Sequence, residues 1–109
     1  MSNLTGSTKG QGISVAATSS GGTTIDERSE GSDDGNDSTY YLFAVNNHDA
    51  DVLLTVEFGG TAANNLIEIN IKAGQGLTTV VNGLTLDHPA AVTAFAATAN
   101  KIMVYGQAR

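Results

Sequence analysis

The 109-residue chain has no cysteine, no tryptophan and a single proline, Pro89, and its five Lys and Arg face eleven Asp and Glu. Without cysteine there is no disulfide framework, no thiol nucleophile and no thiolate-ligated zinc or iron–sulfur site. The shortage of positive charge leaves a formal net charge of −6 at pH 7 and removes the basic footprint that binds nucleic acid. No apolar run approaches the roughly 18 residues of a membrane-spanning helix. The first residues, Met1-Ser2-Asn3-Leu4-Thr5-Gly6, have neither the positive nor the apolar segment of a secretory signal. The expectation is an acidic, soluble protein made in the cytoplasm, with neither nucleic acid nor membrane as a partner.

What is present divides sharply near residue 39. All eight serines lie at or before Ser38, and residues 1–39 hold seven Gly, eight Ser and six Thr but only five large apolar residues, Met1, Leu4, Ile13, Val15 and Ile25. Residues 40–109 hold 25 Val, Leu, Ile, Met, Phe and Tyr. The first stretch cannot bury enough apolar surface to offset its conformational entropy by itself, whereas the second can. Two units are therefore expected: a Gly/Ser/Thr-rich acidic N-terminal arm, 1–39, and a compact β-domain, 40–109. Fully extended, the arm would reach about 130 Å at roughly 3.3 Å per residue, enough to lie on a neighbouring subunit.

The compact part reads as β throughout. Residues 39–45 and 52–58 are rich in aromatic and branched side chains and end in turn clusters. In Leu66-Ile67-Glu68-Ile69-Asn70-Ile71-Lys72 the isoleucines alternate with polar residues, the mark of a half-buried strand. Leu77 to Val81, then Asn82-Gly83 as a hairpin turn, then Leu84-Thr85-Leu86 continue the pattern. Residues 91–97 are expected as a strand despite their alanines, and residues 101–105 as the last. About seven to eight short strands with turns every 8–12 positions predict an all-β fold, a single antiparallel β-sandwich or jelly-roll-like barrel. Within the arm, residues 12–18 and 23–28 are weaker strand candidates.

Chemistry-bearing patterns are scarce. Residues 26–37 carry six carboxylates against Arg28. Asp33, Asp34 and Asp37 fail the calcium-loop spacing, since position 6 from Asp33 is Ser38 and position 12 is Ala44. They remain candidates for a loose divalent-cation site, against the alternative of a solvated acidic loop. His48 beside Asp49 and Asp51, and His88 beside Asp87, read as turn residues rather than a metal or acid–base site. Serine occurs only in the arm, and no Gly-x-Ser-x-Gly elbow exists. Glu57 and Glu68 are the acids inside strands and read as solvent-facing side chains that keep the surface soluble. Gly6-Ser7-Thr8-Lys9-Gly10-Gln11-Gly12 lacks the Gly-Lys-Ser/Thr ending of a phosphate loop. Tyr40 and Tyr41 are adjacent, so on a strand one of them faces outward. No catalytic residue and no cofactor is expected, and the chain is not expected to be an enzyme.

A core of about 70 residues rarely supplies more than roughly 3–5 kcal/mol, so without disulfides, oligomerisation or docking on a larger partner is the expected reinforcement. The strings Leu53-Leu54-Thr55-Val56-Glu57-Phe58-Gly59-Gly60-Thr61, Ile69-Asn70-Ile71-Lys72-Ala73-Gly74 and Ala97-Thr98-Ala99-Asn100-Lys101-Ile102 resemble small structural proteins of tailed bacteriophages, above all head decoration, or cement, proteins. The resemblance covers residues 40–109 in style. It implies a protein on the exterior of the virion capsid, often a trimer, whose partners are the major capsid protein and copies of itself and whose terminal arm bridges capsid subunits. Contacts are then expected from Leu4, Ile13, Val15 and Ile25 as apolar anchors and from Lys9 and Arg28 as polar ones. The competing expectation is a sugar- or receptor-binding β-sandwich module of a tail fibre or surface protein.

Overall fold

Alternation builds the strands. In residues 37–46 the side chains of Ser38, Tyr40, Leu42, Ala44 and Asn46 are buried while those between them stand on the opposite face. A computed structural model describes residues 2–29 and 36–109. It contains β1 (Ser2–Asn3), β2 (Ile13–Ser14), β3 (Thr23–Arg28), β4 (Asp37–Asn46), β5 (Val52–Phe58), β6 (Leu66–Ile71), β7 (Thr78–Asp87), β8 (Ala90–Ala96) and β9 (Ile102–Ala108), with one 3-10 turn at Ala63–Asn65.

The strands form two sheets. The first runs β1-β9-β4-β7, with β2 following β1 along the same edge of β9, and the second runs β3-β8-β5-β6. All pairings are antiparallel. The pairs β2·β9, β3·β8, β4·β7 and β5·β6 are those of one long hairpin folded at the β5–β6 connection. Rolling that hairpin sends alternate pairs to opposite sheets and creates the new contacts β9·β4 and β8·β5. This is jelly-roll topology, a β-sandwich whose core lies between the inner faces. Leu42, Leu54, Val56, Ile71, Val92, Val104 and Ile102 fill it.

The expected boundary at residue 39 does not separate folded units. Residues 2–28 supply strands to both sheets, and Leu4, Ile13, Val15 and Ile25 belong to the same core as Leu42 and Val92. The radius of gyration, 12.9 Å, is that of a fully compacted chain of this length, about 13 Å for 100 residues. Five apolar residues cannot fold alone, but four of them are spaced to insert into a core that the rest of the chain provides.

One local expectation also changes. Asn82-Gly83 is not a hairpin turn, because β7 runs through it to Asp87. Gly83, at φ +88°, is instead the extra residue of a bulge against β4, where Tyr40 faces Leu84 and Tyr41 faces Asn82. A second register shift lies between Leu42 and Phe43. The alanine-rich stretch is a strand, β8, whose small side chains Ala90, Ala94 and Ala96 pack inward.

Candidate functional site

The groups with most chemical potential lie inside the sandwich. Ile25 and Asp26 are neighbours, yet both are fully buried, because the register of β3 against β8 shifts between Thr24 and Asp26. The Asp26 carboxylate accepts the Thr5 N–H (2.8 Å) and Arg28 Nη2 (3.2 Å) at Oδ1, and the Tyr40 hydroxyl (2.6 Å) and Arg28 Nε (3.0 Å) at Oδ2. Arg28 Nη2 also donates to Ser2 Oγ and to the Asn3 carbonyl. This cluster ties the first residues of the chain to β3 and β4. Burial pushes the Tyr40 hydroxyl well above the usual tyrosine range, and its hydrogen bond to the Asp26 carboxylate and that negative charge add to the effect. The Tyr40 ring meets Phe58 edge-on at 5.6 Å.

Ser38 Oγ and His88 Nε2 stand 2.7 Å apart. A Ser–His contact is the first requirement of nucleophilic catalysis. Here the hydroxyl is fully buried and the imidazole nearly so, which seals the pair from substrate. His88 is therefore a buried partner of β4 rather than a simple turn residue, and Ser38 sits in a rigid shell. Glu57, expected on the surface, is also buried. It accepts the Thr93 hydroxyl (2.6 Å) and the Gly22 N–H (3.1 Å) at Oε1, and the Ser20 hydroxyl (2.7 Å) at Oε2. Burial alone would raise its pKa, but these hydrogen bonds, with one from the Gly21 N–H, outweigh it and hold the carboxyl below its ordinary value. Among the described residues every buried side-chain N and O atom has a partner, so these clusters serve the fold.

Of the expected contact residues, Leu4, Ile13, Val15 and Ile25 are 1%, 6%, 0% and 0% exposed, and Arg28 is committed to Asp26. This corrects their assignment as anchors on a neighbour: their apolar and ionic contacts are made within the chain. Lys9 alone of the six stands in solvent, in the β1–β2 connection at φ +56°. Asp33 and Asp34 lie outside the described residues, and Asp37 is exposed at the start of β4. Among the described residues no three His, Asp or Glu side chains converge as a metal site. His48 Nδ1 lies 3.5 Å from Asp49, whereas Asp51 turns away to Lys72 and the Ala73 N–H. The Ala73 backbone bond, and then Lys72, hold the Asp51 carboxyl below its ordinary value.

The outward faces of the two sheets differ. On the second sheet, Thr55 and Glu57 point outward yet are buried, and residues 20–22 fold over Glu57. On the first sheet, β4 and β9 present Tyr41, Phe43 and Val45 beside Gln107, Tyr105 and Met103, directly opposite in that order. Tyr105 is 37% exposed, and the other apolar members are half-buried. Gly12 lies against the Tyr105 ring, where a Cβ would come within 2.7 Å of Cζ, so the ring is braced from the β2 side. Asp37 and Arg109 stand at one end of the β4–β9 pair and Lys101 at the other, and between these ends the outward positions of β4 and β9 carry no charge. Aromatic and methionine side chains without charges form the composition of an interface centre. A groove of about 510 Å³ at another place, lined by Glu27, Arg28, Gly59 and Pro89 among others, has its guanidinium already paired with Asp26.

Sequence reasoning reached only Tyr41 of this face. The signal was present: in residues 40–45 both alternating sets, Tyr40-Leu42-Ala44 and Tyr41-Phe43-Val45, are apolar, so one of them must lie outside a two-layer core. No protein-family model matches the chain, and no curated protein and no solved structure matches it either.

Proposed function

We propose that this chain is a non-enzymatic virion structural protein, a capsid decoration protein that binds the exterior of an assembled bacteriophage capsid and stabilises it. The observation that carries the reading is the uncharged aromatic face of the first sheet, Tyr41, Phe43 and Tyr105 with Val45 and Met103, on a chain of net charge −6. The resemblance of residues 40–109 to phage head proteins supports the same class, and jelly rolls serve widely in viral coats, an analogy of fold alone. Bridging by an N-terminal arm gives way to docking by a sheet face, since the arm's apolar residues are occupied. The major capsid protein is the partner, and binding only the assembled lattice favours that state by mass action. Tyrosine at the centre of an interface is a frequent hot spot, whose truncation costs about 2 kcal/mol or more.

Co-sedimentation of purified protein with expanded capsids tests this. Tyr105→Ala and Tyr41→Ala are expected to weaken binding by about thirtyfold each, which corresponds to 2 kcal/mol. Unchanged binding by both variants would exclude the face. The exposed Tyr105 ring and the half-buried Tyr41 ring also suit stacking on sugar rings, the alternative of a receptor-binding module. Binding to glycans with no affinity for capsids would establish that alternative instead.

A further inference from the structure

A sandwich of two open sheets has four edges, and an open edge pairs with any strand that reaches it unless something blunts it. Three edges here are blunted. The β9 side of the first sheet is covered by β1 and β2, two residues each, with the 4–12 connection between them. β3 spans six residues and carries Glu27 and Arg28. β6 spans six residues and has Glu68 near its middle. β7 differs from all of them. It is ten residues long, pairs among the described residues through one side only, with β4, and carries no charge before its last residue, Asp87. Its two bulges bend it, but residues 84–87 pair with β4 without a break. Leu77 and Leu84, 59% and 49% exposed, are the most exposed large apolar side chains among the described residues.

We propose that β7 pairs antiparallel, edge to edge, with β7 of a second copy, joining the first sheets of two copies into one continuous sheet. Charge leaves this edge open to a second copy. Two chains of net charge −6 repel, and residues 78–86 of β7 form the long edge along which they meet without opposing like charges. A strand that meets itself across a two-fold axis supplies both halves of its own interface and closes at two copies. Because the axis of an antiparallel pair stands normal to the sheet, the Tyr41–Tyr105 faces of both copies lie on the same side. The pairing is independent of what that face binds. If the face docks on a capsid, the dimer presents it twice and gains avidity.

The test is sedimentation equilibrium of the purified full-length protein, without capsids. A monomer–dimer equilibrium is expected, with amides of residues 78–86 slowed in hydrogen exchange as concentration rises. Asn82→Lys with Leu84→Lys places like charges across the axis and should raise the dissociation constant at least about tenfold. Each substitution also lowers the net negative charge, so weakening cannot come from general repulsion. Leu53→Lys, the same change on the outer face of the second sheet, should leave the dimer unchanged. A wild-type monomer at all concentrations, a closed trimer, or a dimer protected at another edge overturns the proposal. The wild-type exchange pattern decides the matter even if the double variant does not fold.

Discussion

At the residue scale the clearest feature is a carboxylate with every oxygen in use. Asp26 reads in sequence as part of a solvated acidic run, yet it is the anchor for Thr5, Arg28 and Tyr40. Nothing in the alternation of residues 23–28 foretells this, because period two places Ile25 and Asp26 on opposite faces and the bulge puts both inside. Tyr40→Phe keeps the ring contact with Phe58 and removes one bond to a buried charge. Urea unfolding should show a loss of about 1–3 kcal/mol. The same hydroxyl sets an alkaline limit. Its folded pKa is raised above the ordinary 10.0, so the unfolded chain loses the proton first, and stability present below pH 10 falls as the pH rises beyond it. Tyr40→Phe should flatten that decline in denaturation midpoints measured against pH. Glu57 acts in the opposite sense. Its folded pKa is lowered, so its contribution is present above the ordinary 4.5 and is lost as the pH falls below it. Glu57→Gln should flatten the acid limb and speed hydrogen exchange at Gly21 and Gly22, which the carboxylate holds.

At the element scale, the short edge strands matter more than their length implies. β1 and β2 contribute two residues each to the ladder, but the chain around them delivers Leu4, Ile13 and Val15 to the core. Leu4→Ala and Ile25→Ala should each cost about 2–5 kcal/mol in urea unfolding, as large-to-small changes in a packed core do. Lys9→Ala, in the exposed connection, should cost under about 0.5 kcal/mol. Gly83 permits β7 to continue where a turn was expected. At φ +88° a Cβ is strained, and Gly83→Ala should cost about 1–2 kcal/mol with the register of β7 preserved. The Asn-Gly pair signals positive φ, and both a hairpin turn and a bulge satisfy it. Only the distance to the next pairing partner distinguishes them.

At the scale of the whole molecule, the first and last strands are neighbours, with Ser2 opposite Ala108 and Asn3 opposite Gln107. The compositional split therefore has no thermodynamic counterpart. Thermal unfolding followed by circular dichroism and by tyrosine fluorescence should give one coincident transition. Deleting residues 2–28 should abolish that transition, because it removes four core side chains and uncovers the edges of β9 and β8. A truncated chain that unfolds cooperatively at the full-length midpoint would contradict this.

The sequence by itself determined the all-β class, most of the strands from residue 39 onward and the inward set Ile67, Ile69 and Ile71, because side-chain alternation and turn chemistry act within a few residues. It also carried the sign of the aromatic face, in a β4 that is apolar on both sides. Only the tertiary structure decided the rest: that the Gly/Ser-rich segment is a built-in part of the sandwich, that Asp26 and Glu57 are internal, and that Tyr41 and Tyr105 lie on one surface while β7 is left at an edge. These depend on pairings between distant residues, such as Ile13 with Val104 and Thr24 with Thr93, and on bulges that reverse which face a side chain takes. Local pattern fixes which residues make strands. The rolling of the hairpin, driven by burial of the whole apolar set at once, fixes what each strand faces.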